Sequence, residues 1–197
     1  MSNIYTIGCS VHTQDELLTL LKRYNIDAVA DVRSVPYSKH TPQFNKELLN
    51  TSLKKSTIHY LSFSEEFGAR RKEKEAYTNG KVDFEKVIKL SVFLQGVDRL
   101  ENGIEKGFNT ALLCTEKNPL DCHRFLLVSK ALYSILNVDI KHILYDGSIR
   151  NQKEIEKQML ANLHMESDLF VDENTRIEKA YNLFSEKILF SEEAKII

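Results

Sequence analysis

Residues 110–124 read TALLCTEKNPLDCHR. Thr110–Cys114 is a short apolar run of the kind that forms a strand buried on both faces, as in parallel sheets. Asn118-Pro119 is a helix start: asparagine accepts from free N–H groups, and proline suits the first helical position. A helix from there to about Leu136 sets Cys122 in its first turn. The same strand-then-helix unit recurs on both sides. Residues 4–7 form a strand ending at Gly8. Thr13-Gln14-Asp15-Glu16 has the form of a capping box ahead of an apolar stripe of Leu17, Leu18, Leu20 and Leu21. Residues 28–32 (AVADV) and 58–61 are strands two and three, with a helix over 45–54 between them. Asp83 caps a helix that runs to about Asn102, and residues 138–144 are a fifth strand. From Ser148 the chain reads as two acidic helices.

This alternation implies an α/β fold: three layers, with a mainly parallel five-stranded sheet covered by helices on both faces. The expected division is an α/β domain over 1–147 and a helical C-terminal extension over 148–197 packing on it. Composition agrees with that. A chain of 197 residues, 42% apolar and 28% charged, buries a sizeable core. Three cysteines do not make a disulfide scaffold. No apolar run approaches a membrane span, and the first residues lack the basic stretch of a leader, so the expected location is the cytoplasm. The net charge of −1 argues against a broad nucleic-acid-binding face. Residues 150–197 are net −3 and the remainder net +2, which permits a local anion site.

Ligands of parallel sheets sit beyond the carboxyl ends of the strands. Gly8, Cys9, Ser10 and His12 fall there after strand one. Arg33, Ser34, Tyr37, Lys39 and His40 follow strand two. Glu65, Gly68, Arg70 and Arg71 follow strand three, and Cys114, Glu116, Lys117, Cys122, His123 and Arg124 follow strand four. The loops at the opposite edge are plain.

Each group admits a chemical and a packing role. Cys114 or Cys122 is a candidate nucleophile, since nearby cations and a helix N-terminus stabilise a thiolate; both also serve as small buried hydrophobes. Lys117, His123 and Arg124 read as an anion clamp with Arg33 and Arg70, or as surface ion pairs. Asp31 and Glu116 are candidate proton carriers, although Asp31 also suits loop N–H groups or Arg33. Tyr37 and Phe44 either stack a base or anchor the loop. Gly68 suits a left-handed turn presenting Arg70. No metal site is expected. Paired C-x₂₋₄-C spacing is absent, and successive helical residues such as Cys122 and His123 point about 100° apart. No cofactor is implied either, for neither G-x-G-x-x-G nor a P-loop follows the first strand.

Several blocks together resemble one family. They are YTIGCS (5–10), DVRSVPYS (31–38), PQFN (42–45), FGARR (67–71), and LCTEKNP (113–119) with Cys122-His123-Arg124. In order and spacing they are similar to domain-of-unknown-function family 488 over about residues 4–145. The resemblance implies a compact α/β domain with one cleft. Its candidate residues are Gly8, Ser10, Asp31, Arg33, Pro36, Phe44, Gly68, Arg70, Cys114, Glu116, Lys117, Cys122, His123 and Arg124. It brings no agreed activity. Cys9 stands where the family usually has histidine.

The resulting expectation is an enzyme, a hydrolase or transferase, acting on a small phosphorylated or nucleotide-like ligand. Cys114, Asp31 and Glu116 are its catalytic candidates. Gly8, Ser10, Arg33, Tyr37, Arg70, Lys117, His123 and Arg124 are its binding candidates. A non-catalytic module for nucleic acid or protein is the rival class, and a thiol or metal protein is the third.

Overall fold

The computed structural model describes residues 3–168 and 170–189. Strand β1 (Ile4–Gly8) leads into helix α1 (Gln14–Arg23). The expected capping box forms there. Thr13 Oγ1 accepts from Glu16 N at 3.2 Å, and Thr13 N donates to Glu16 Oε2 at 2.7 Å. Strand β2 (Ala28–Asp31), helix α2 (Lys46–Lys55) and strand β3 (His59–Ser62) follow.

Residues 63–82, whose many charged residues suggest a loop in sequence, hold a short helix α3 (Ser64–Phe67) and a hairpin of β4 (Tyr77–Thr78) and β5 (Lys81–Val82). The hairpin turns at Asn79-Gly80, where both φ angles are positive (50° and 74°), as a type I′ turn requires. Asp83 caps as expected, accepting from Glu85 N and Lys86 N. The helix it starts is two: α4 (Phe84–Val87), then α5 (Ser91–Glu105). Strand β6 (Thr110–Cys114), helix α6 (Lys130–Leu136) and strand β7 (Ile140–Ile143) complete the alternation. The extension adds a strand before its helices: β8 (Ile149–Asn151), then α7 (Gln152–Asn162) and α8 (Glu173–Ser185). Residues 190–197 of the expected extension lie outside the described residues.

The main sheet therefore has six strands rather than five, ordered β3-β2-β6-β1-β7-β8. All neighbours run parallel except β8, which turns back on β7. On one face Leu17, Leu21, Leu49 and Leu53 of α1 and α2 pack on Val29, Ala111 and Leu113. On the other, Phe93, Val97 and Leu100 of α5 and Leu132 of α6 pack on Ala30, Leu112 and Cys114. Alternate residues of β2 and β6 thus serve opposite layers, which is why those strands are apolar except for Asp31 and Thr110 at their ends. A third cluster joins Ile155, Met159, Tyr181 and Phe184 of α7 and α8 to Leu120, Phe125 and Leu126.

A buried polar chain also ties the extension to the sheet. His142 Nε2 lies 3.0 Å from Gln152 Oε1, which only accepts, so Nε2 carries the proton. Nδ1 then accepts from Thr6 Oγ1 at 2.9 Å. Gln152 Nε2 donates to Tyr181 OH at 2.6 Å, and Tyr181 donates to Glu156 at 2.8 Å. Among the described residues no helix is long and apolar enough to cross a membrane.

Candidate functional site

Strand β6 lies between β1 and β2, so three chain segments leave the sheet side by side at its carboxyl edge. Their ladders continue past the strands: Cys9 N donates to Cys114 O, Ser10 N to Thr115 O and Val32 N to Leu113 O. This fixes the start of the 114–124 segment against the exits of β1 and β2.

That segment departs from the expected helix. Asn118 Oδ1 accepts from Leu120 N and starts a single 3₁₀ turn, Pro119–Asp121. The turn ends at Cys122, whose backbone is extended (φ −139°, ψ 137°). His123 is the first helical residue, and Arg124–Ser129 form a π-helical stretch running into α6. The expectation that Cys122 and His123 point about 100° apart is therefore corrected, because it assumed both were helical. The extended residue turns the two side chains inward together.

Four donor atoms meet there. Cys114 Sγ lies 3.0 Å from Glu116 Oε2 and 3.6 Å from His123 Nδ1, and Cys122 Sγ lies 2.9 Å from the same Glu116 oxygen. The donor atoms of Cys114, Glu116, Cys122 and His123 all fall within 4.8 Å of one another. Cys114, Cys122 and His123 are 2%, 1% and 8% exposed, so Glu116 is the donor that reaches furthest toward solvent. His123 Nε2 lies 2.9 Å from the Val32 carbonyl oxygen, so it carries a proton and donates. That bond aims Nδ1 at the sulfurs.

The cluster's charges are unevenly held. Burial and the bond to Cys122 keep the Cys114 thiol well above its ordinary range. Burial acts the same way on Cys122. It is outweighed by the bond from Cys114 and by the positive charges of Arg124 and His123, which bring Cys122 well below the ordinary thiol range. Burial, then the charge of Cys122, raises the Glu116 carboxyl. Burial opposes a charged His123, but its bond to Cys122 raises it overall.

Arg124 supplies much of this field and is fully buried. Its Nη1 donates to Glu116 O at 2.6 Å, its Nη2 to Lys117 O at 3.3 Å, and its backbone N–H to Cys122 Sγ at 3.4 Å. Among the described residues no carboxylate lies within ion-pair range of Arg124, and its buried Nε has no hydrogen-bond partner. Gly8 makes room for this arrangement. A Cβ there would stand 1.9 Å from Glu116 O and 3.3 Å from Arg124 Nη1.

The remaining expected residues lie outside this cluster, Asp31 and Arg33 flanking the Val32 that holds His123. Asp31 and Arg33 form a buried bidentate pair, with Nε to Oδ1 at 2.8 Å and Nη2 to Oδ2 at 2.6 Å. Tyr60 OH also donates to Asp31 Oδ2, and Arg33 Nη2 also donates to Phe44 O. Asp31 thus has both oxygens engaged. Tyr37 is exposed and donates to Glu47 Oε1 at 2.7 Å, while Phe44 is buried as a loop anchor. Lys117 Nζ sits 3.7 Å from the Tyr145 ring centroid.

Arg70 is exposed on a cavity of about 330 Å³ lined also by Ser34, Ser64, Arg71 and Lys72. Gly68 has an ordinary negative φ of −62°, so no left-handed turn presents Arg70; a Cβ would stand 2.3 Å from Ser64 O, and close approach is the requirement. Of the four cations Arg33, Arg70, Lys117 and Arg124, Arg33 and Arg124 both bear on Cys9, whereas Arg70 stands on that separate cavity and Lys117 on Tyr145. Pro36 accepts from Lys46 N, and Ser10 is half-buried beside Thr115. Cys9 is fully buried, which pushes its thiol up to about 12.

A family model, Domain of unknown function DUF488, matches residues 13–131. No curated protein and no solved structure matches the chain.

Proposed function

The chain belongs to the DUF488 family, and from that footing we propose that it is a metalloprotein. In this reading Cys114, Glu116, Cys122 and His123 hold one thiophilic divalent ion of the zinc class, and the centre serves a hydrolase or transferase acting on a small phosphorylated or nucleotide-like ligand. The convergence of the four donor atoms within 4.8 Å carries the reading. Tetrahedral ligands of zinc stand about 3.3–3.8 Å apart, so closing on an ion needs only small side-chain movements. His123 has the outer bond that metal-bound histidines usually have, donated here to the Val32 carbonyl. The charges also balance. Two thiolates and a carboxylate around a divalent ion leave one negative charge, beside a buried Arg124 that has no ion-pair partner among the described residues. When bound, the ion would supply Lewis-acid activation of a phosphoryl or carbonyl oxygen.

One observation favours a second reading. The backbone N–H and the charge of Arg124 bear on Cys122, which suits a metal-free thiolate nucleophile. Metal content of the purified full-length chain, followed by zinc titration against a chromophoric chelator, separates the two. The metalloprotein reading expects one equivalent of zinc per chain, lost in Cys122→Ser. No uptake by the wild type, together with rapid alkylation of Cys122, overturns it in favour of the thiol enzyme.

A further inference from the structure

We infer that Glu116 is the exchangeable ligand of this centre, and that a small oxyanion such as a phosphate or carboxylate group binds the ion in its place. The inference rests on the metalloprotein reading and deepens it.

The four donors are not held alike. Cys114 ends the central strand β6, with its carbonyl bound by Cys9 N. Cys122 Sγ receives the Arg124 N–H, and His123 is tied to Val32 O. Metal-bound groups keep their orientation through such outer bonds. Among the described residues the Glu116 carboxylate has none from another residue outside the cluster. Besides the two thiols, only its own backbone N–H bonds that carboxylate among the described residues. Thiols lose their protons on binding a metal, so those two bonds would vanish in the loaded protein. Glu116 is held instead by its backbone, its carbonyl oxygen receiving Arg124 Nη1 at 2.6 Å. Its side chain can therefore swing while the loop stays fixed.

Access points the same way. The two sulfurs and the imidazole are almost fully buried, whereas Glu116 is only partly buried, so its coordination position is the one nearest solvent. Charge selects the newcomer. Losing the carboxylate would leave the centre and Arg124 one charge too positive, and a monoanionic oxygen ligand restores the balance. Three firm protein ligands with a fourth, outward position is the pattern of catalytic rather than structural zinc.

The test uses the full chain loaded with cobalt(II), whose visible spectrum reports coordination, titrated with inorganic phosphate and separately with acetate. The wild type is expected to show a saturable spectral change with at least one of the two. Glu116→Gln is expected to keep one equivalent of cobalt and to bind the same anion about tenfold more tightly, because the tethered carboxylate no longer competes. A response to phosphate alone identifies a phosphoryl ligand, and one to acetate alone a carboxylate. Cobalt uptake with a spectrum indifferent to both anions overturns this inference and leaves the metalloprotein reading standing. Loss of cobalt from a folded Glu116→Gln chain also overturns it, by making Glu116 a firm ligand. Failure of the wild type to take up cobalt overturns both.

Discussion

His123 Nε2 lies 2.9 Å from the carbonyl oxygen of Val32, a residue ninety-one positions earlier in the chain. A main-chain carbonyl offers no side chain to substitute, so the exit of β2 orients the imidazole through the fold itself. Replacing His123 with Gln keeps a donor for Val32 but not a ring nitrogen at the Nδ1 position. Zinc affinity is expected to fall by at least the roughly 10–100-fold that follows loss of a mere outer partner, because a ligand itself is removed. Competition with a chelator measures it, and unchanged affinity would remove His123 from the ligand set.

The Gly8 position tests packing rather than chemistry. In Gly8→Ala the new methyl meets the Glu116 carbonyl, which Arg124 holds in place. Overpacking of this kind costs about 1–3 kcal/mol. Gly103→Ala is the control: nothing lies within 4 Å of its Cβ, and it sits inside α5, so it is expected to stabilise by about 0.5–1 kcal/mol. Urea unfolding of both variants should move their midpoints in opposite directions.

Asp31→Asn leaves Arg33 charged and buried without its carboxylate. Breaking a buried pair from one side costs about 3–5 kcal/mol. The double change Asp31→Leu with Arg33→Met removes both charges, and it should recover much of the loss by the same unfolding measurement. If the single change costs no more than the double, the pair is not what holds the 33–44 loop.

Burial drives the His142 pKa from 6.5 down to about 3. Between those values the unfolded chain binds a proton that the folded chain refuses. Stability therefore falls as pH drops below about 6.5, with a limiting slope of about 1.4 kcal/mol per pH unit until about pH 3. Glu116 and Glu156, raised by burial, contribute in the opposite sense. The difference between wild type and His142→Gln isolates the histidine. The variant is expected to be less stable at pH 7 yet flatter across the acid range, as read from urea midpoints at successive pH values.

Most of the architecture was legible because period and capping agree locally. The Thr13 box, the Asp83 cap and the β6 boundaries fall where the residue pattern puts them. The hairpin carried a readable signal that went unused: Asn79-Gly80 between Tyr77 and Val82 is a type I′ turn in sequence. The Asp31–Arg33 pair was half readable, since residues two apart at a strand end share a face. The metal-like cluster was not. It depends on one extended residue, Cys122, between a 3₁₀ turn and a π-helical stretch. The apolar spacing of Cys122, Phe125 and Leu126 fits a continuous helix equally well. Nor does the sequence say that Arg124 turns inward onto main-chain oxygens, which takes the space above Gly8 to allow.

Cys114 and His123 are only nine positions apart, with Glu116 and Cys122 between them. Joining these donors closes a short loop, at little entropic cost compared with closing the sheet around it. An ion could thus be captured by a chain still largely unfolded, before β1 and β2 dock on either side of β6. Refolding would then start from the centre outward, and zinc added at its outset should speed it more than zinc added late.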